Sequence, residues 1–129
     1  MYLILYSKDI YTMTYKQKAQ DIYDMMGKGQ LLEAFEKYYA EDVVMEEVGE
    51  EPRVGKDINR EYEKKFLASI EDFHGMGIPA IASDEENGVV MIENWMDATL
   101  IGIGRIKMDQ VCVQYWKGDY IVKERFFHK

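Results

Sequence analysis

Cysteine, histidine and positive charge are all scarce in this chain. Cys112 is the only cysteine, so no internal disulfide framework exists and a reducing, cytoplasmic setting is the simpler expectation. His74 and His128 are the only histidines and lie far apart, so no metal-ligand spacing appears and no metal is expected. Sixteen Lys and Arg against 24 Asp and Glu leave a formal charge of -8. That balance disfavours nucleic acid and anionic membrane surfaces as partners, because both need a basic patch. The apolar run at residues 2–6 is much too short to cross a bilayer and lacks the basic start of a secretory signal.

What remains is a chain of 129 residues with 47% hydrophobic and 31% charged residues, enough for one domain with a core. Residues 1–12 fit the rest poorly and are treated as an optional extension, with residues 13–129 as a single domain. Thr14 and Gln17 have capping-box spacing, and Ala19, Ile22, Tyr23 and Met26 follow at helical intervals until Gly27 and Gly29. A second short helix spans about residues 30–39. A third, with Asp57 as its cap, carries Ile58, Tyr62, Phe66 and Ile70 on one stripe and is expected to end at Gly75 and Gly77. From residue 78 the pattern becomes strands: 79–83, a turn closing on Asn87-Gly88, 89 to about 100, then a hairpin of 105–116 and 120–128 across Lys117-Gly118-Asp119. Helix, helix, strand, helix and a run of antiparallel strands describe an α+β domain: a curved antiparallel sheet wrapped against three N-terminal helices, with a pocket open at one end.

Between the second and third helices runs a short strand at residues 43–48 holding adjacent carboxylates, Glu46 and Glu47. A strand alternates its side chains, so one of the pair faces the interior and the other does not. On the strand from residue 89, Glu93, Trp95, Asp97 and Thr99 share a face that suits either a polar-aromatic pocket wall or a dimer contact. His74 is either an acid or base at the pocket mouth or a helix C-cap. Cys112, in a strand interior, is expected to be a buried thiol.

The order of helices, the strand ending in Glu46-Glu47, the Gly49 to Gly55 loop with Pro52 and Arg53, and the ending Tyr115-Trp116-Lys117-Gly118-Asp119-Tyr120 through Phe127 together resemble the nuclear transport factor 2-like superfamily. Within it the chain is most similar to SnoaL-like domains and ketosteroid isomerases, from about Thr14 to the C-terminus. The resemblance implies the cone-shaped, cystatin-like α+β barrel, a sheet-mediated homodimer and no cofactor. It assigns the isomerase base to Glu47, or to Glu46 if the register shifts. Such isomerases combine an aspartate base with an oxyanion hole of a tyrosine and a protonated aspartate. Here the tyrosine position falls on Ile22, beside Tyr23, and the aspartate position near Val111, two residues after Asp109. On the last hairpin the resemblance puts Asp109, Val111, Val113 and Tyr115 on the cavity side of one strand, and Glu124, Phe126 and His128 on that of the next. Glu124, flanked by apolar positions, needs a partner if buried, and is either a ligand group or an ion pair with Arg53, Arg105 or Arg125.

The expectation is a pocket for a small hydrophobic or carbonyl-bearing molecule. The catalytic candidates are Glu47, Glu124, Asp109 and His74, and the lining candidates are Tyr23, Trp95, Asp97, Val111, Val113, Tyr115 and Phe126. The chemistry would be cofactor-independent proton transfer, as in an isomerase, cyclase or dehydratase. A non-catalytic ligand-binding or dimerisation module is the other reading. Two convergent carboxylates of perturbed pKa favour the enzyme, and an interior plugged by Met and aromatic side chains favours the module.

Overall fold

The structure is a computed structural model and describes residues 12–128; the optional extension lies, but for Thr12, outside the described residues. Helix α1 (Tyr15–Gly27) begins with the capping box anticipated from Thr14 and Gln17, each side chain accepting from the other's backbone N–H. The Glu85 carboxylate also accepts from the backbone N–H groups of Tyr15 and Lys16, at 2.8 and 3.1 Å. That bond docks the distant Glu85–Gly88 turn onto the positive end of α1. Helix α2 (Leu31–Tyr38) runs straight into strand β1 (Tyr39–Glu47), and a short β2 (Arg53–Val54) folds back beside it.

Helix α3 (Lys56–Ser69) departs from two expectations. Its N-cap is Gly55 at φ 102°, while Asp57 sits in the first turn and pairs with Arg60. The helix also stops at Ser69, and strand β3 (Ile70–Asp84) absorbs Gly75 and Gly77. Local propensity at residues 71–74 is overridden by pairing with β4 (Val89–Leu100), where Asp72 meets Thr99 and Phe73 meets Ala98. Gly77 is needed where it stands: a Cβ there would lie 2.5 Å from the Trp95 indole nitrogen.

Strands β5 (Gly104–Lys117) and β6 (Tyr120–His128) complete a six-stranded sheet in the order β2-β1-β6-β5-β4-β3. All neighbours are antiparallel except β1 and β6, which run parallel, and the curved sheet stays open rather than closing into a barrel. The core lies between its inner face and the helices, with Ala19, Phe35, Val43, Val90, Ile92 and Ile121 buried. Trp116 anchors this end, packed against the rings of Tyr15 and Tyr38 at centroid distances of 5.4 and 5.7 Å.

Gly88 closes the β3–β4 hairpin at φ 68°, and a Cβ there would meet the Trp116 carbonyl oxygen at 2.6 Å. Both strain and clash bear on a backbone that cannot step aside. Gly88→Ala should therefore cost about 2 kcal/mol or more in urea unfolding; a cost near zero would mean that the turn rearranges freely.

Candidate functional site

One face of the sheet and the three helices enclose a cavity of about 690 Å³. On β6, Glu124, Phe126 and His128 face inward. Opposite them on β5 stand Gln114, Cys112 and Gln110 respectively. The inner face of β5 is therefore one residue out of step with the expectation. Val111, Val113 and Tyr115 do not line the cavity and share the outer face instead; Asp109 reaches its rim. Tyr23, Trp95 and Phe126 do line it. Asp97 does not, because it forms a bidentate pair with Arg105, and exposed His74 bonds Thr99 Oγ1 at 2.8 Å. His74 sits in β3 rather than at a helix end, so neither of its expected roles has a structural basis.

Glu124 is the most buried acid of the cavity, at 2% exposure. Its Oε1 accepts from the Tyr39 hydroxyl at 2.5 Å and its Oε2 from Gln114 Nε2 at 3.0 Å. The Gln114 carbonyl oxygen in turn accepts from the Trp116 indole N–H at 3.1 Å. None of the three arginines considered as its partner takes it: Arg53 pairs with Glu47, Arg105 with Asp97 and Arg125 with Glu46. Burial pushes the Glu124 carboxyl up to about 7, with the Tyr39 and Gln114 hydrogen bonds holding it back and the Glu47 charge adding to the rise. Burial, with Glu124 beside it, lifts the Tyr39 hydroxyl well above its ordinary value, so it stays protonated.

The adjacent carboxylates separate as alternation requires. Glu47 faces the cavity, while Glu46 bonds Arg125 Nε at 2.5 Å on the other side. Glu47 is not free, because Arg53 holds it in an ion pair. Arg53 itself is fixed by Asn59 at 3.0 Å and lies over the Tyr62 ring, 3.6 Å from its centroid. Buried Asn59 also donates to the Arg53 and Gly55 carbonyls, which ties α3 to the loop before it.

Sequence reasoning missed Glu63. Of the apolar stripe on the third helix, Tyr62 and Phe66 line the cavity, Ile58 is 58% exposed, and Glu63 enters beside them from α3. Its signal was helical spacing to Phe66, masked by the charged run Glu61 to Lys65. Glu63 is half-buried and lines the cavity. Burial, then the Glu124 charge, raises it to about 7. Among the described residues it has no hydrogen bond or ion pair. Cys112 is a buried thiol in contact with the Tyr23 hydroxyl at 2.9 Å and pushed up to about 12 by burial, then by Glu124, which makes it a poor nucleophile. No group of three His, Cys, Asp or Glu among the described residues could hold a metal ion, and no described helix is long and apolar enough to cross a membrane.

A carboxyl raised in the folded state, from 4.5 to about 7 for Glu124, binds protons the unfolded chain has released. Stability therefore falls as pH rises through that window, by about 3 kcal/mol for the one group, and stays lost above it. Glu124→Gln should be more stable than wild type at pH 8, with the gap closing by pH 5, in chemical denaturation. A gap independent of pH would show that Glu124 ionises normally.

Comparison with curated proteins gives no match. Among solved structures, a SnoaL-like polyketide cyclase candidate from Mesorhizobium loti is 26% identical, with TM-score 0.77, over 90% of this chain and 100% of that one. Two further structures share the fold. An LEH-like epoxide hydrolase from M. tuberculosis has TM-score 0.72 at 15% identity, over 89% of this chain and 82% of that one. An isomerase candidate from Bacillus subtilis has TM-score 0.74 at 19% identity, over 91% and 90%. Residues 13–128 match the SnoaL-like domain family, the span that includes every element from α1 to β6. The chain therefore belongs to the SnoaL-like domain family.

Proposed function

We propose that the protein is a cofactor-independent enzyme that moves a proton next to a carbonyl group in a small hydrophobic molecule held in the cone. The observation that carries this reading is Glu124, a fully buried carboxyl in a largely apolar cavity whose pKa near 7 suits it to give and take protons at neutral pH. Glu63, across the cavity and also near 7, supplies a second proton carrier. Two such carboxyls titrate as a pair, so that near neutral pH one is an acid while the other is a base. Glu47, the base suggested by the isomerase resemblance, is engaged by Arg53, and its role passes to the pair, Glu63 taking the proton while Glu124 is the acid. The wall of aromatic rings, Phe35, Tyr62, Phe66, Trp95 and Phe126, suits an apolar ring system. Convergence of two perturbed carboxyls on an open cavity favours the enzyme over the non-catalytic module. The relatives include cyclase and isomerase candidates and an epoxide hydrolase, which agrees with acid-base chemistry without fixing the substrate.

The reading extends to assembly and location. Met91, Val111 and Phe127 are exposed on three adjacent strands of the outer face, ringed by Glu93, Arg125 and Lys123. An apolar centre within a mixed-charge rim fits a second copy of the chain. A cytoplasmic location is in keeping with a lone buried thiol.

Exchange of the hydrogens beside the carbonyl of 1-tetralone in deuterated buffer, followed by proton NMR, measures the proposed step directly. Wild type should accelerate it and Glu124→Gln should lose at least about a hundredfold; an equal rate in the variant removes Glu124 from the chemistry. Light scattering should give twice the chain mass for wild type and a monomer for Val111→Glu, whereas a monomeric wild type rejects the dimer.

A further inference from the structure

The hydrogen bonds around Glu124 dictate where its proton can sit. The Trp116 indole N–H only donates, so the Gln114 amide must turn its oxygen to Trp116 and its NH2 to Glu124. Oε2 of Glu124 therefore always accepts from Gln114. A proton placed there would find no other acceptor among the described residues. A proton on Oε1 has one, the Tyr39 hydroxyl oxygen at 2.5 Å. When Glu124 ionises, Tyr39 donates to it; when Glu124 is protonated, Tyr39 becomes the acceptor and its own hydrogen must point elsewhere. Tyr39 lines the cavity, and its ring is held by stacking on Phe35 at 4.9 Å, so rotation about the C–O bond is the motion left to it.

We propose that Tyr39 is the ligand-contacting donor of this site, and that protonation of Glu124 turns the Tyr39 hydroxyl into the cavity to hydrogen-bond a carbonyl oxygen. This rests on the carbonyl reading of the pocket and deepens it. Binding such a ligand takes one proton from solvent, which converts the Glu124 carboxylate to the acid; no bond to the ligand forms or breaks. The charged and titratable groups facing Glu124 are Glu47 on β1, Arg53 on β2, Glu63 on α3, Tyr23 on α1 and Cys112 on β5. Glu47 and Arg53 form an ion pair, and Tyr23 and Cys112 stay neutral, so Glu63 is the group that can shift the transition. A ligand without an acceptor atom gains nothing from the turned hydroxyl and should bind with no preference in pH.

Two measurements test this, one free of any ligand. In protein labelled at tyrosine Cζ and glutamate Cδ, the Tyr39 carbon signal should move with the same midpoint as that of Glu124, the two assigned by Tyr39→Phe and Glu124→Gln. A Tyr39 signal that stays flat while Glu124 titrates overturns the proposal. In calorimetry, the affinity for 1-tetralone should weaken about tenfold from pH 6 to pH 8, with matching proton uptake, while that for tetralin stays constant. The Glu124→Gln side chain presents NH2 to Tyr39 and imitates the protonated acid, so its affinity should change less than about twofold over that range. Tyr39→Phe should lose both affinity at pH 6 and the pH dependence. Equal wild-type affinity for 1-tetralone at pH 6 and pH 8 overturns the proposal. If Tyr39 tracks Glu124 and 1-tetralone binds at no pH, the carbonyl reading of the pocket fails and the coupled hydroxyl stands.

Discussion

The site depends on one carboxyl taken out of water without a counter-charge. Glu124 has two neutral donors, Tyr39 and Gln114, and no ion pair with an arginine or lysine among the described residues. Neutral hydrogen bonds offset part of the cost of burying a carboxylate, whereas an ion pair would have held the group ionised and inert. The sheet makes this possible by register. Gln114 stands directly across from Glu124 on the inner face, and β1, running parallel to β6, begins with Tyr39.

The arginines follow from the same requirement. Arg53, Arg105 and Arg125 each have a carboxylate of their own, Glu47, Asp97 and Glu46, so none of them pairs with Glu124. Arg53 and Glu47 also have a structural task, since Asn59 and Tyr62 join that ion pair to α3. The helix that carries Glu63 is thereby fixed to the strand that carries Glu47. A strand and the helix that follows it across a short loop thus face their acids into one space lined by aromatic rings.

Much of the architecture was legible in the chain because it is written in local chemistry. The capping box at Thr14 and Gln17, the Asn87-Gly88 turn and the Lys117-Gly118-Asp119 hairpin each specify a backbone conformation within a few residues. The end of α3 was not legible, since residues 70–77 become a strand only by pairing with β4, a long-range contact. The site was half legible. The resemblance placed Glu124, Phe126 and His128 inward on β6, and alternation allowed one of Glu46 and Glu47 to face in. The same resemblance put β5 out by one, because no local feature marks which of Gln110 and Val111 faces the helices; the partner strand decides. Glu63 was hidden for the opposite reason: a glutamate in a charged helical run looks like solvated surface until a cavity is seen beside it.

The central claim is that Glu124 retains its proton near neutral pH, and infrared difference spectroscopy of the carboxylic acid band tests it most directly, with Glu124→Gln to assign the band. We expect a protonated glutamic acid band that disappears with a midpoint at about pH 7 and is missing from the variant. A band lost by about pH 5, as for a glutamate in water, would mean that the cavity does not perturb Glu124 and would remove the basis for proton transfer in this site.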